Sequence, residues 1–388
     1  MTKRNKRIYK TAALILAFII WMGGSLPVSA GGDDSAVPLN DTIAIGFDHS
    51  LVIKADGSLW ASGRNNYGQL GDGTTTNSSR FIKVMDDVVS VGAGCAYSMA
   101  VKKDGSLWAW GTNFTGQLGD GTDVDRHKPV QVLDEVASVG TFFRHSLALK
   151  KDGSLWSWGI NETGMLGYAT DNYDANHKPV KVMDGVKSVS AGEQYTLAVK
   201  KDGSLWAWGY KFAFENSERT RAVDWHEPIK LMDDVEAAKA GGNGNNYVIK
   251  KDSSLWGWSA TFGSNMFGTL GDGTEEDRFD PVKLMDDVIS ISARGLSTFA
   301  VRKDGSLWAW GWNRNGELGD GTKKDTKRPV KVMDDVLFVK AGTMIIKKDG
   351  SLWAWGDNYW GQLGDGMTQV TRISPIKIMD DVMISPRR

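Results

Sequence analysis

Short runs of alternating apolar and polar residues, broken by Gly, Asp and Asn, fill most of this chain. One stretch shows the pattern in full. Ser90 to Ala93 is a brief run of apolar and small residues that stops at Gly94. Ser98 to Lys102 alternates, as a half-buried strand does. Asp104-Gly105 follows as a hairpin signal, which predicts a two-residue type I′ turn. Leu107 to Trp110 is an aromatic strand in which Leu107 and Ala109 point one way and Trp108 and Trp110 the other. Being apolar on both faces, that strand is predicted to lie in a sheet covered on both sides. The loop Gly111 to Thr122 holds four glycines, marking tight turns. Pro129 to Val132 reads as a last, edge strand, where the missing N–H of Pro129 is tolerated. Small residues such as Ala93 and Gly94 suit the narrow end of a wedge.

This unit is written seven times. The leading Trp of each Leu-Trp-x-Trp segment is Trp60, Trp108, Trp156, Trp206, Trp256, Trp308 and Trp353, at spacings of 48, 48, 50, 50, 52 and 45. The second Trp is Trp110, Trp158, Trp208, Trp258, Trp310 or Trp355, and Ser62 takes its place in the first copy. Units of about 40–50 residues with four strands and no helical period exclude leucine-rich and helical solenoids and predict propeller blades. The expected fold is all-β: a seven-bladed β-propeller with four antiparallel strands per blade. After the last unit, Asp380 to Ser385 begins an eighth, which could overlap the first blade and close the ring.

Three segments together resemble regulator-of-chromosome-condensation repeats: the Lys-x-Asp-Gly-Ser-Leu-Trp hairpin, the Asn-x-x-Gly-Gln-Leu-Gly-Asp-Gly-Thr loop and the Ala-Gly-x-x-His/Tyr-Ser turn. The resemblance runs from Thr42 to about Ser385 and implies a seven-bladed propeller. It also implies a candidate role, because the family includes a secreted bacterial propeller that inhibits β-lactamases through aromatic turns. The matching positions here are Phe47-Asp48, Cys95-Ala96, Phe143-Arg144, Glu193-Gln194 and Leu296, of which two are aromatic. The namesake's nucleotide exchange on a nuclear GTPase is not carried over, since the N-terminus reads as an export signal.

That N-terminus has a basic stretch (Lys3, Arg4, Lys6, Arg7, Lys10), an apolar run from Ala12 to Trp21, and the small-residue site Val28-Ser29-Ala30. This is the layout of a secretory signal peptide. The expected organisation is a signal peptide at 1–30, a short polar leader at 31–41 and one propeller domain at 42–388, secreted or held at the cell surface. The apolar run is short for a span, which needs about 20 residues, and no other stretch could cross a bilayer.

Composition narrows the partner. With 46 basic and 47 acidic residues the net charge is −1, so nothing electrostatic calls for nucleic acid or a strongly anionic membrane. The high Gly and Trp counts, 46 and 17, fit turns between aromatic strands. One cysteine, Cys95, leaves no internal disulfide, so stability must come from the core. Cys95 reads as an incidental loop residue.

A catalytic constellation would have to break the repeat. His49 and His145 share one repeat position, with Tyr97, Tyr195 and Tyr247 at its other copies; His127, His177 and His226 share another. Both sets read as structural. Pairs such as Asp86-Asp87, Asp233-Asp234, Asp286-Asp287, Asp334-Asp335 and Asp380-Asp381 lack the ligand spacing of a calcium loop and read as turns. The Gly-Asp-Gly-Thr segments lack the Lys and helix of a phosphate loop. No cofactor and no metal are implied. The expected function is a non-enzymatic, monomeric binding module for a protein or cell-wall glycan. The alternatives are a β-lactamase-type inhibitor and a polysaccharide-acting enzyme, which would need two carboxylates about 5–10 Å apart. The candidate partner site lies where copies deviate. Tyr210, Phe212, Phe214 and Trp225 replace the glycine loop of the fourth copy; Phe262, Met266 and Phe267 lengthen the fifth; Trp312, Tyr359 and Trp360 occupy similar loops further round.

Overall fold

The chain folds as seven four-stranded antiparallel sheets, each built from strands consecutive in sequence. The computed structural model describes residues 41–168, 175–210, 224–261, 263–340 and 343–384, with backbone alone at 224 and 225. The proposed signal peptide and all of the leader but its last residue, Asp41, lie outside them. Among the described residues no helix is long and apolar enough to cross a membrane.

Blade two shows why the repeat makes a blade. Its strands are Val88–Ala93, Tyr97–Lys102, Leu107–Gly111 and Arg126–Leu133. Leu107 and Ala109 pack into a core shared with blade three, while Trp110 is wholly buried in a core shared with blade one. Alternation along a single strand thus joins three blades, as the apolar pattern predicts. The outer strand, with Pro129, is the longest of the four. Inner strands of all seven blades contribute Ala44, Val91, Val139, Val189, Lys239, Ala293 and Lys340 to the wall of one central cavity.

The hairpin differs in type from the sequence expectation. The Gly105 N–H donates to the Lys102 carbonyl (2.8 Å) and the Lys102 N–H to that of Ser106 (2.9 Å). Only Gly105 (φ 94°) is left-handed, whereas a type I′ turn needs two such residues. This is a three-residue loop, a type I turn closed by a glycine bulge. The reason is local. Asp104 Oδ1 accepts both the N–H and the hydroxyl of Ser106, at 2.8 and 2.6 Å, which the type I geometry permits. The acidic pairs are turns: Asp87, Asp234, Asp287, Asp335 and Asp381 all have positive φ. Each bonds the next hairpin through its carbonyl, as Asp87 does to the Lys103 N–H at 2.7 Å.

Among the described residues five blade seams carry one repeated bond. The indole N–H of Trp110 donates to the carbonyl of Gln69 in the preceding blade's loop (2.9 Å), and Trp158, Trp208, Trp310 and Trp355 bond the carbonyls of Gln117, Met165, Thr269 and Glu317. Gly71, at φ 81°, lies against that indole; a Cβ there would come within 2.7 Å of its nitrogen, so the Gly-Asp-Gly segment is a packing requirement.

The closing seam is built differently. Ser62 donates to the Gln362 carbonyl (3.2 Å), and Phe81, where blade two has Pro129, packs where a Gly364 side chain would lie. The innermost strand of blade one is split between the two ends of the described chain. Val382 pairs with Lys54 as Val88 pairs with Lys102, and the Met383 N–H donates to the Ile53 carbonyl at 2.9 Å. Ile43–Ile45 then supplies the rest, with Ile43 opposite Val52 as Val91 is opposite Ala100. The tail does overlap the first blade, by contributing the start of its innermost strand.

Candidate functional site

Strand order gives the ring two unlike ends. Hairpins and inter-blade turns leave one end; inner turns and the long glycine loops leave the other. The loop end is where the copies diverge.

An aromatic group spans the inner turns of blades one to three. Phe47 and Phe143 meet edge-on at 6.1 Å between ring centroids. Backbone bonds tie these turns in sequence: the Phe47 N–H reaches the Cys95 carbonyl (3.4 Å), and the Cys95 N–H reaches that of Phe143 (3.3 Å). The Arg144 guanidinium lies 4.9 Å from the Phe143 ring and 4.6 Å from that of Phe114, on the long loop of blade two. Phe47 and Phe114 are 52% and 55% exposed, unusual for rings of this size. Phe143 has φ 24°, a left-handed backbone that costs a bulky residue roughly 1–3 kcal/mol.

A second group joins blades five and six. Phe267 and Trp312 touch edge-on at 4.6 Å, and Arg314 stacks 4.4 Å from the Trp312 ring. Phe267 also has positive φ (66°), and Met266 beside it is exposed. A third group lies at the closing seam. Tyr359 and Trp360 touch at 5.1 Å, and Arg64 sits 4.7 Å over Trp360 while pairing with Asp48 at 3.2 Å.

The sequence candidates therefore fall into separate groups. Met266, Phe267 and Trp312 come together; Tyr359 and Trp360 form another pair. Tyr210 is half-buried, with its N–H bonded to the Gln194 carbonyl (2.8 Å). Trp225 is placed by its backbone opposite Gly209. Phe212, Phe214 and Phe262 lie outside the described residues. Sequence reasoning missed Phe114, Arg64 and Arg314, while Phe47 and Phe143-Arg144 entered only as positions matched by the family resemblance. The available signal was the residue after each loop Asn, which is Phe114 in blade two and Tyr359 in blade seven.

The polar groups are occupied structurally. His49 and His145 are buried between blades, and burial pushes them down to about 3 and about 4, so both are neutral at pH 7. His49 Nε2 lies 2.9 Å from Ser98 Oγ of the next blade. Burial raises Asp120, but hydrogen bonds from Thr122 and Arg126 outweigh it and hold the carboxylate below its usual range. Asn113 donates to the same carboxylate at 3.1 Å. Burial pushes the Cys95 thiol up, away from a nucleophilic thiolate. Among the described residues no cluster of His, Cys, Asp or Glu could hold a metal ion.

Residues 33–344 match the RCC1-like domain, and residues 349–384 match the regulator of chromosome condensation (RCC1) repeat. The chain belongs to the RCC1-like family. No curated protein matches it. Among solved structures, yeast RCC1 (Prp20) superposes with a TM-score of 0.72 at 18% identity, covering 94% of this chain and 91% of that one. A second structure of Prp20p from Saccharomyces cerevisiae gives 0.71 at 18% identity, covering 88% of each chain. Human WBSCR16 gives 0.65 at 23% identity, covering 76% of this chain and 81% of that one. At such identities the likeness is one of fold, and this RCC1-like chain carries its own set of loop-face rings.

Proposed function

We propose that this RCC1-like propeller is an exported, non-enzymatic binding module whose loop face receives a protein partner. The observation that carries the reading is the group of exposed Phe47 and Phe114 with half-buried Phe143 and Arg144, set on the ring with strained backbone at Phe143. Exposed aromatics backed by an arginine are the usual anchors of protein interfaces. The Phe267–Trp312–Arg314 group offers a second anchor on the same face. Fold relatives support a protein partner over other classes: the Prp20p structure is described with its binding to Gsp1p and histones, and yeast RCC1 with Kap60 bound. Export is supported by the basic, apolar and small-residue order of residues 3–30. N-terminal sequencing of exported material should then start at Gly31.

The binding test uses the full chain as bait in the extracellular fraction of its source. A protein retained by the parent and by a hairpin-face variant (Lys103→Ala), but lost from a Phe114→Ala/Arg144→Ala variant, fits the proposal. Retention by all three, or loss from the hairpin variant alone, contradicts it.

A further inference from the structure

The central channel breaks the repeat in charge, independently of the loop face. At the inner-strand position of Gly92, register places Ala44, Gly140, Ser190 and Ser292 in four other blades, all small. In blades five and seven the same position holds Lys239 and Lys340. Two residues further along, where blades one, two, four and five have Gly46, Gly94, Gly192 and Gly241, blade six has Arg294. All three cations line a cavity of about 130 Å³ enclosed by the ring.

Their surroundings do not balance them. Among the described residues Asp41 is the one carboxylate lining the cavity; it accepts from Lys340 at 3.3 Å and from Ser90 at 3.3 Å. One guanidinium N–H of Arg294 reaches across to the Gly46 carbonyl of blade one. The Lys239 ammonium makes no hydrogen bond or ion pair among the described residues, although Lys340, Arg294 and Asp41 are all close enough to act on its charge. Among the described residues lining the cavity, three cations face one carboxylate, and Asp48, outside the lining, acts on Arg294. Burial, followed by repulsion from Lys340 and Arg294, pushes Lys239 down to about 8, so it remains mostly protonated at neutral pH. All three side chains are partly exposed to the channel, and a channel lined mainly by one sign of charge concentrates the other. The Phe142 ring lies toward the loop end, where a side-chain atom on Gly242 of blade five would come within 3.5 Å of it, so the space suits a small ligand.

We propose that the channel is a binding site for a small oxyanion of phosphate size, held by Lys239 and Lys340 with Arg294 at its rim. Ser stands at the Lys239 position in blades four and six, so Lys239→Ser is a change the repeat already accepts.

The test is titration of the full chain with inorganic phosphate at low ionic strength, by calorimetry and by thermal melting, with sodium chloride at matched ionic strength as control. Saturable one-to-one binding is expected, with a Tm rise on the order of 2 °C at ten times Kd. Lys239→Ser should weaken phosphate binding at least tenfold, and in phosphate-free buffer it should melt no lower than the parent. Lys103→Ser, on the hairpin face, should leave binding unchanged. Three results would overturn the proposal: no binding by the parent, an equal Tm rise in sodium chloride, or unchanged binding by Lys239→Ser. Lys239→Met provides the same reading should the serine variant fail to fold.

Discussion

The two ends of the ring are made from the same seven units, yet they behave as different materials. At the hairpin end the copies agree almost atom for atom. An Asp carboxylate caps a Ser, and the Ser hydroxyl accepts the indole N–H of the leading Trp, in every blade from Trp60 to Trp353. Charges there are paired locally, as in Lys83–Asp86 and Lys331–Asp334, three residues apart. At the loop end the Asn and Asp that frame the glycine loop recur, but the tip after the Asn changes, with Phe114, Met266, Arg314 and Tyr359 in four blades, and arginines stack on rings. Uniformity marks the end that holds the ring together, and divergence marks the end free to acquire a partner. The same contrast recurs along the wedge: the second Trp is sealed between blades, whereas the leading Trp is half-buried beneath a Lys.

The largest expected effect lies in that wall. Trp110→Ala should cost about 3–5 kcal/mol, as loss of a wholly buried aromatic, and Trp108→Ala about half that. Denaturant melts of the two variants check the order. Equal losses would mean that the leading Trp is as much a part of the core as the second.

Next comes ring closure. Truncation after Asp381 removes Val382 and Met383, which complete the innermost strand of blade one and bury there. A loss of about 2–5 kcal/mol is expected, comparable to emptying a core position. An unchanged Tm would show that the ring closes without the split strand.

Acid sensitivity should be smaller and graded. His49 and His145 are held neutral in the fold, with values depressed to about 3 and about 4. The unfolded chain takes up these protons first, near pH 6.5, so stability is full above that pH and is lost on acidification toward pH 4. Each His contributes a slope of about 1.4 kcal/mol per pH unit in that window. Tyr stands at this repeat position in blades two and four, so His145→Tyr should remove one of the two slopes; in blade five the register puts Asn245 there and moves Tyr247 two residues on, against the sequence expectation. Melts at pH 5 and pH 7 measure it; an undiminished acid loss would place the sensitivity elsewhere.

Much of the wall was legible because it repeats. Alternation in Leu107–Trp110 fixed which side chains face which neighbour, and seven copies fixed the blade count. What did not repeat was harder to read. The split strand joins residues more than 330 apart, Ile43 and Val382, and no local pattern marks such a pairing. The hairpin type turned on a carboxylate-to-Ser bond that competes with the Asp-Gly signal. Rings were legible as exceptions in Phe267, Trp312, Tyr359 and Trp360, but their grouping was not, because it depends on which blades touch. Phe47 and Phe143 come from blades one and three and are brought together only by the curvature of the inner turns. Lys239 and Lys340 stood in plain view as large residues at a small-residue position, a signal that appears once the strands are aligned by register.

The functional assignment of the two ends is tested most directly by site-specific photocrosslinking of the full chain in its native fraction. A photoreactive side chain replaces Phe114 on the loop face or Asp134 in a turn of the hairpin face, both exposed or nearly so. Neither replacement should shift stability by more than about 0.5 kcal/mol, as usual for surface sites. The account predicts a discrete protein adduct from position 114 and none from position 134. An adduct from position 134 with none from position 114 would contradict it.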